Sequence, residues 1–339
     1  MKRYLLQPKA DGTLTPEIET ADAPQAAAGE VVVTIEATSL NYRDLLMKAG
    51  KSASSGSDPV VPLSDGAGKI AAIGEGVTGW TIGDRVALTF FRDWEDGRFE
   101  MKYHKAARGG SCDGVLGEQV VTPAHSLVRV PEYLSIEEAA TLPCAAVTAW
   151  HGLMERSRPL EVGHTVLCLG TGGVSIFALQ LAKAAGAKVI ITSSSEDKLQ
   201  RACELGADET INYRENPDWD KAVFEMTEGR GVDHVIEVGG PGTLPKSMNA
   251  VAAGGSIALI GVLTGFDAPE ASLFPLVSRN VDLSGIYVGS RAMFERLNEF
   301  LTKHEIHPVI GDHFSFEEAV AAYDHLESAG HFGKVVITG

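Results

Sequence analysis

Closely spaced glycines form the clearest chemical motif of the chain. The segment Leu169-Gly170-Thr171-Gly172-Gly173-Val174-Ser175 has the spacing G-x-G-x-x-G, with serine at the third glycine position. Between a buried strand and a helix, the first glycine permits a tight turn and the second lets the backbone approach a pyrophosphate. The third position needs only a small side chain, and the phosphates then lie at the helix N-terminus. The motif predicts a dinucleotide site formed by Gly170, Gly172, Gly173 and Val174.

The end of the next predicted strand indicates which dinucleotide is bound. An enzyme that uses NAD usually carries an acid there, which binds the ribose hydroxyls. This chain has a run of hydroxyls instead, and Ser193 and Ser194 can donate hydrogen bonds to a 2′-phosphate. Lys198 adds a positive charge one turn into the following helix, and Tyr213 ends the third strand, where it can close the pocket. We therefore expect NADPH.

Two alternatives to this cofactor assignment stay open. Glu196 and Asp197 lie close to the serines, so NADH remains possible. The serines can also act only as a helix cap, with Lys198 as a solvated helix residue.

The elements around these residues alternate between strands and helices. Such alternation predicts a doubly wound parallel sheet, and it favours a binding role for the glycine turn over a plain turn. The predicted strands are His164–Leu169, Lys188–Thr192, Thr210–Tyr213, Val232–Val238, Ser256–Val262 and Val281–Val288, with Val174–Ala185 and Asp197–Leu205 as helices between the first three.

The two ends of the chain have a different pattern. The first third contains short β-branched runs bounded by Gly, Pro and Asp, which predict a β domain. These runs are Val31–Ile35, Lys69–Ile73, Arg85–Phe90, Glu118–Thr122 and Leu127–Val130. The last fifty residues predict two amphipathic helices, Arg291–His304 and Phe316–Ser328, and a final strand, Lys334–Thr338.

An irregular stretch at 89–115 is rich in charged and aromatic residues. A loop of this length is usually functional or mobile. Its aromatic residues can cover a flat apolar substrate, form a dimer contact or pack at the surface. They are Phe90, Phe91, Trp94, Phe99 and Tyr103.

Composition excludes several classes of function. The 339 residues suggest two domains at roughly 100–200 residues each. A formal net charge of −16 disfavours nucleic acid and anionic membranes as partners. The four cysteines show no paired spacing, which fits a reducing compartment. The N-terminal segment lacks the apolar region of a signal peptide, and no apolar run is long enough to span a bilayer. We therefore expect a cytoplasmic protein.

Several short segments, taken in order, resemble the medium-chain dehydrogenase/reductase superfamily, which includes zinc alcohol dehydrogenases and quinone oxidoreductases. They are Gly29–Val33, Asn41–Asp44, Asp65–Gly68, Gly83–Val86, Glu138–Pro143, the turn at Gly170 and Leu205–Asp208. The resemblance implies a Rossmann domain inserted into a GroES-like catalytic domain built from both chain ends. We divide the chain into 1–132 and 290–339 for the catalytic domain and 133–289 for the NADP-binding domain. The resemblance also implies an active site where the domains meet, and a homodimer.

The positions that hold zinc in such enzymes are largely changed here. Zinc members carry a cysteine at the position of Asn41 and a histidine at that of Ser64, whereas Cys144 matches the third ligand. A catalytic zinc needs about three protein ligands and a water. The loop that holds a second, structural zinc through four cysteines contains only Cys112. We therefore expect no zinc, with Cys144 as a small buried residue; a reactive thiol is the alternative.

The resemblance places Asn41 and Tyr42 at the catalytic position. An asparagine amide can donate a hydrogen bond to a substrate oxygen, and a tyrosine hydroxyl can act as a donor or an acid. Tyr42 can instead be a packed aromatic, and Arg43 with Asp44 is expected to form an ion pair or cap. The expected walls of the substrate and cofactor pockets are Ser64, Cys144, Thr148, Gly239, Val262 and Tyr287. Lys334 is expected to pair with Asp65 or with the cofactor pyrophosphate.

Three functions agree with this pattern. The first is a zinc-independent, NADPH-dependent reductase of a quinone or an α,β-unsaturated carbonyl, whose reduction depends less on a Lewis acid than that of a simple carbonyl. The second is an NAD(P)-dependent alcohol dehydrogenase or aldehyde reductase. The third is an NADPH-binding protein without turnover.

Overall fold

Short apolar runs form the strands of the first part of the chain, and the longest strand, Glu30–Leu40, buries eight of its eleven residues. The computed structural model describes residues 1–50, 59–269 and 271–339. These form two compact units, which we call the first unit (Met1–Val147 with Gly289–Gly339) and the second unit (Thr148–Val288).

The first unit contains a hairpin and a seven-stranded sheet. The hairpin pairs β1 (Lys2–Pro8) with β2 (Leu14–Thr20). The strands of the sheet are β3 (Glu30–Leu40), β4 (Asp65–Ile73), β5 (Arg85–Leu88), β6 (Gln119–Pro123), β7 (Leu127–Arg129), β14 (Ile310–Ser315) and β15 (Lys334–Thr338). Their order is β14-β15-β3-β4-β5-β7, and β6 also pairs with β3. The helices are α1 (Tyr42–Lys48), α2 (Ile136–Ala139), α9 (Arg291–His304) and α10 (Ala319–Glu327), and α3 (Val147–Met154) leads into the second unit.

The second unit is a six-stranded parallel sheet with the order β10-β9-β8-β11-β12-β13. The strands are β8 (Thr165–Leu169), β9 (Lys188–Ser193), β10 (Glu209–Asn212), β11 (Val232–Glu237), β12 (Val251–Leu259) and β13 (Asp282–Gly285). The helices are α4 (Gly173–Ala184), α5 (Glu196–Glu204), α6 (Trp219–Met226), α7 (Leu244–Ala250) and α8 (Phe274–Ser278). This confirms the predicted doubly wound parallel sheet.

Three strands and one boundary differ from the sequence-based expectations. Neither the hairpin β1–β2 nor β14 was predicted, because Pro8 ends the first strand, Pro16 lies within the second, and β14 has too few apolar residues to show a strand pattern. Residues 133–147, assigned above to the nucleotide-binding domain, belong to the first unit. The reason is that α2 packs against β3 and β4.

The 89–115 stretch is a packed part of the first unit and not a loose loop. Phe90, Phe91 and Trp94 are almost fully buried, and their rings contact one another and Phe99. Within the same stretch Arg108 is buried, and its guanidinium donates to the carbonyl of Thr89 and to the hydroxyls of Thr122 and Ser126. The aromatic cluster and these hydrogen bonds fix the loop to the sheet. No helix of the described residues is long and apolar enough to cross a membrane.

Candidate active site

The glycine turn lies between β8 and α4, as its motif predicts. Gly170 has φ +74°, and a Cβ added there would meet no heavy atom within 4 Å. Gly172 is the N-cap of α4. The hydroxyl of Ser175 donates to the carbonyl oxygen of Leu169 at 2.6 Å, so serine ties the helix to the strand at the third glycine position. The open backbone above a helix N-terminus fits a pyrophosphate.

At the end of β9, Ser193 and Ser195 have different roles. Ser195 caps α5, and its hydroxyl accepts from the backbone N–H of Lys198 at 3.4 Å. Ser193 is buried at the strand end, and its carbonyl accepts from the N–H of Tyr213, whose side chain is exposed. The capping interpretation therefore holds for Ser195. Ser193, Ser194 and Lys198 stay candidates for the 2′-phosphate.

A buried carboxylate that sequence reasoning missed organises the loop after β11. Glu237 accepts from the N–H groups of Gly239 at 2.8 Å and Gly240 at 3.0 Å, and from the hydroxyls of Thr243 and Ser247. Across this loop, the backbone at Gly240 approaches Gly261 and Val262 so closely that a Cβ would contact them. In the sequence, Glu237 is only an acid near the end of a predicted strand. The structure shows that this strand is buried at every position.

The segment after β13 contains backbone strain. Val288 has φ +55°, which is a genuine outlier for a β-branched residue, and such strain points to a functional constraint. Its carbonyl oxygen lies 2.7 Å from Nδ1 of the buried His151. Burial lowers the pKa of His151, so the ring is neutral near pH 7. The neighbouring Tyr287 is partly exposed, whereas Thr148 is buried.

In the first unit, strand register brings several of the predicted site residues together. Val335 of β15 pairs with Leu40 of β3, which places Lys334 opposite Asn41. On the other side of β3, Ser39 pairs with Asp65 of β4. We call Ser39, Asn41, Ser64, Asp65 and Lys334 the lysine cluster.

The ammonium of Lys334 is the centre of this cluster. The side chain is 3% exposed, and Nζ donates to the carbonyl of Leu40 at 2.7 Å and to Oδ1 of Asn41 at 2.6 Å. Nζ also lies 3.5 Å from Oδ2 of Asp65, which has no solvent exposure. The structure therefore shows the pairing with Asp65; a contact of Lys334 with the pyrophosphate remains a prediction only.

Asp65 also has two hydroxyl neighbours. Ser64 Oγ donates to Oδ1 at 2.8 Å, whereas Ser39 Oγ lies 3.3 Å from Oδ2 and closer, at 3.0 Å, to the carbonyl oxygen of Ala140. The segment before Ser64 is held in an unusual conformation, because Leu63 has φ +67° and its carbonyl accepts from the N–H of Val115 at 3.0 Å. The end of the packed loop thus fixes the position of Ser64.

Asn41 is the N-cap of α1 and begins the predicted catalytic pair. Its backbone N–H donates to Oδ2 of Asp44 at 2.8 Å, and Arg43 lies 3.7 Å from Oδ1 of the same carboxylate. Asp44 therefore serves both as cap and as ion-pair partner, as expected. In the part of the chain that the structure describes, the buried Nδ2 of Asn41 has no hydrogen-bond partner. Tyr42 is exposed rather than packed in the core.

Cys144 lies in a π-helical turn, Leu142–Ala146. Burial, and after it the nearby charge of Asp65, raise the pKa of the Cys144 thiol far above its usual range.

The donor set at the matched zinc positions does not fit the metal. The Asn41 carbonyl oxygen is taken by an ammonium and the Ser64 hydroxyl by a carboxylate. Elsewhere in the described ranges, no three His, Cys, Asp or Glu side chains converge on a point.

A surface cavity of about 410 Å³ lies elsewhere in the first unit. None of the predicted site residues lines it. Its walls are Thr34–Thr38, Gly117, Glu118, Phe316, Glu317, Ile337 and Gly339.

Comparison with known proteins agrees with this architecture. Residues 27–132 match the model of the alcohol dehydrogenase GroES-like domain, and residues 173–303 match that of a zinc-binding dehydrogenase. A zinc-type alcohol dehydrogenase-like protein of Schizosaccharomyces pombe is 44% identical over 99% of this chain and 98% of its own. The acryloyl-coenzyme A reductase of Metallosphaera sedula is 30% identical over 95% of this chain and 96% of its own.

A solved structure extends the match to three dimensions. A crystal structure assigned as an alcohol dehydrogenase, from Sinorhizobium meliloti, superposes with a TM-score of 0.92 at 39% identity, over 100% of this chain and 98% of its own. The chain therefore belongs to the alcohol dehydrogenase-like medium-chain dehydrogenases/reductases and is an NAD(P)H-dependent oxidoreductase.

Proposed function

We propose that this protein is a zinc-independent reductase that uses NADPH to reduce an α,β-unsaturated carbonyl or a quinone. The observation that carries the proposal is the Asn41 amide. Its oxygen is held by Lys334, and its buried Nδ2 has no partner among the described residues. A free donor of this kind suits an acceptor whose oxygen gains negative charge during the reaction.

The reduced nicotinamide supplies the hydride when bound. For an enone, the two electrons of the hydride form a C–H bond at the β-carbon, and the C=C electrons move onto the carbonyl oxygen as an enolate. Asn41 Nδ2 donates a hydrogen bond to that oxygen and keeps its own protons. A proton from water or from Tyr42 then completes the product at the α-carbon.

The glycine turn and the β9 end support the choice of cofactor. Gly170, Gly172, Gly173 and Val174 would hold the pyrophosphate, because the space around Gly170 is open and the other three residues form the N-terminus of α4. Ser193, Ser194 and Lys198 would bind the 2′-phosphate, with Tyr213 beside them. Gly239, Val262 and Tyr287 are proposed nicotinamide contacts, and Cys144 and Thr148 are proposed pocket walls.

One relative is named as alcohol dehydrogenase-like and another as an acryloyl-coenzyme A reductase. These names favour two different kinds of acceptor, so the test must distinguish between them. Chelator-treated protein is given NADPH or NADH with a quinone, an enone or a simple aldehyde, and oxidation of the cofactor is followed by absorbance. We expect turnover of the enone or quinone, faster with NADPH and unaffected by chelation.

The other outcomes have clear meanings. Turnover of the aldehyde alone, lost on chelation and restored by zinc, would contradict the proposal and assign a metal-dependent alcohol dehydrogenase. Tight NADPH binding without oxidation by any acceptor would contradict it in favour of a binding protein.

We also propose that the chain forms a homodimer. β13 is the edge strand of the parallel sheet, and an unpaired edge favours association. Among the described residues before it, 263–277 expose five large apolar side chains: Leu263, Phe266, Leu273, Phe274 and Val277. Light scattering should give twice the chain mass for the native protein and the single mass for Phe274→Glu/Val277→Glu; a native monomer would contradict the proposal.

A further inference from the structure

Two loops at the carboxyl end of the parallel sheet are tied together by a single buried residue. The first loop, 238–243, follows β11, and the second, 260–264, follows β12. Because β11 and β12 are neighbouring parallel strands, both loops leave the sheet at the same end. We call these two segments the double loop.

Strand order places the double loop on the nicotinamide side of the glycine turn. β8, which leads into that turn, has β9 on one side and β11 on the other. A dinucleotide with its pyrophosphate at the glycine turn and its 2′-phosphate at the end of β9 extends its nicotinamide half the other way, over the ends of β11 and β12. The proposed nicotinamide contacts Gly239 and Val262 both belong to the double loop.

The carboxylate of Glu237 holds the first of these loops. The side chain has no solvent exposure, and Oε1 accepts from the N–H groups of Gly239 at 2.8 Å and Gly240 at 3.0 Å and from the hydroxyl of Thr243. Oε2 accepts from the hydroxyl of Ser247, which lies on α7. Because none of these four partners is charged, the carboxylate acts here as a hydrogen-bond acceptor and not as one half of an ion pair.

The main chain of Glu237 holds the second loop. Its carbonyl oxygen accepts from the N–H groups of Ile260 at 2.8 Å and Gly261 at 3.2 Å. Thr264 joins the two loops further along, since its N–H and its hydroxyl both donate to the carbonyl oxygen of Gly239 at 2.8 Å. The double loop is therefore ordered by groups of the protein itself.

Order of this kind bears directly on cofactor affinity. A loop that already has its bound conformation loses little conformational freedom when the ligand binds. Without the Glu237 carboxylate, two N–H groups and two hydroxyls lose their acceptor, and buried donors without partners are unfavourable. The loop would then leave this conformation, and the cofactor would have to restore it on binding.

We propose that Glu237 is a positioning residue for the nicotinamide half of the cofactor: its carboxylate holds the double loop in the conformation that receives the ring. The proposal rests on the contacts proposed above for Gly239 and Val262. Glu237 takes no part in hydride or proton transfer, since its carboxylate is buried and occupied by donors of the protein.

The test compares two ligands that differ only in the nicotinamide ring. Calorimetric titration gives the dissociation constants of NADPH and of 2′-phospho-ADP-ribose, which lacks the ring. We call the second constant divided by the first the ring ratio, and we expect it to be about ten or more for the native protein. If the chain takes NADH instead, NADH and ADP-ribose measure the same ratio.

Two substitutions of Glu237 distinguish the acceptor from the charge. Glu237→Met is of similar length but has no oxygen acceptor, so the ring ratio should fall to about one, with the affinity for 2′-phospho-ADP-ribose within about twofold of native. Glu237→Gln keeps an oxygen for the N–H groups of Gly239 and Gly240, and its amide nitrogen can donate to the Ser247 hydroxyl. It should therefore keep the ring ratio within about threefold of native.

Asp233→Leu is the matched control, because Asp233 is a buried acid near the opposite end of the same strand. Its carboxylate accepts from the N–H of Thr165 at 2.8 Å and pairs with Arg230. Loss of this acceptor should lower the free energy of unfolding and leave the ring ratio unchanged. If Glu237→Met does not fold, Thr264→Val replaces it; this residue is exposed, and loss of its hydroxyl should lower the ring ratio about threefold.

Several results would overturn the positioning role. They are an unchanged ring ratio in Glu237→Met, or in Thr264→Val where that variant replaces it; an equal loss of affinity for both ligands; and a ring ratio that falls as far in Asp233→Leu. A native ring ratio of about one would refute the proposed nicotinamide contacts and the positioning role with them. A native protein that shows the expected ring ratios but reduces neither enone nor quinone would refute the proposed function and support the positioning role.

Discussion

The buried carboxylate of Asp44 should make the stability of the first unit depend on pH in a predictable direction. Asp44 caps α1 and accepts from the N–H of Asn41 through Oδ2, whereas Oδ1 lies 3.7 Å from Arg43, too far for a hydrogen bond. Burial outweighs these favourable contacts and raises the pKa of Asp44 from 3.8 to about 6. We therefore predict that the native state holds this proton more tightly than the unfolded chain.

The sign and size of the pH effect on the free energy of unfolding follow from the linkage between proton binding and folding. A raised pKa in the native state contributes stability that is complete below pH 3.8 and is lost as the pH rises through about 6. The difference between the two pKa values corresponds to about 3 kcal/mol in total, of which about 1.3 kcal/mol should be lost between about pH 5 and about pH 7.

The assay compares the native protein with Asp44→Asn, whose amide can still accept from the Asn41 N–H but does not titrate. Urea unfolding of both proteins at the two pH values gives the difference in free energy of unfolding, in which other titrating groups cancel. We expect that difference, native minus variant, to fall by about 1.3 kcal/mol on raising the pH. A difference that stays constant or grows with pH would refute the reasoning.

Three further predictions concern the cofactor site and the packed loop. Gly170→Val should weaken NADPH binding about tenfold or more, because a side chain and a φ of +74° are both unfavourable there, whereas Gly163→Val, also at positive φ, should not; calorimetric titration checks both. Ser193→Asp should raise the ratio of kcat/KM for NADH to that for NADPH about tenfold or more, because an acid binds ribose hydroxyls and repels a 2′-phosphate; an unchanged ratio would place the selectivity elsewhere. Arg108→Lys should lower the free energy of unfolding by about 2 kcal/mol, since an ammonium cannot reproduce the guanidinium hydrogen bonds; a loss below about 0.5 kcal/mol in urea unfolding would contradict this.

The features that sequence predicted well are local. The glycine turn at Gly170 is defined by seven consecutive residues, and the parallel sheet by the alternation of apolar runs and helices. The helix Arg291–His304 has the predicted bounds because Ser290 caps its start and its apolar residues follow one face. In each of these cases the information lies within about one element.

The features that sequence missed depend on distant pairings or on context. The family resemblance led to the pairing of Lys334 with Asp65, but the contact of Lys334 with Asn41 was not predicted, because it depends on the pairing of β15 with β3. The aromatic residues of 89–115 suggest a surface loop, and only their mutual packing shows them to be core. Glu237 resembles any strand-end acid until the loop that folds back onto it is known.

The most direct test of a zinc-independent reductase is the zinc content of the active native protein, measured by mass spectrometry on the same sample used for turnover. We predict well below about 0.1 zinc per chain with full NADPH-dependent reduction of the enone or quinone. About one zinc per chain, with activity lost when it is removed and regained when it is restored, would contradict the account.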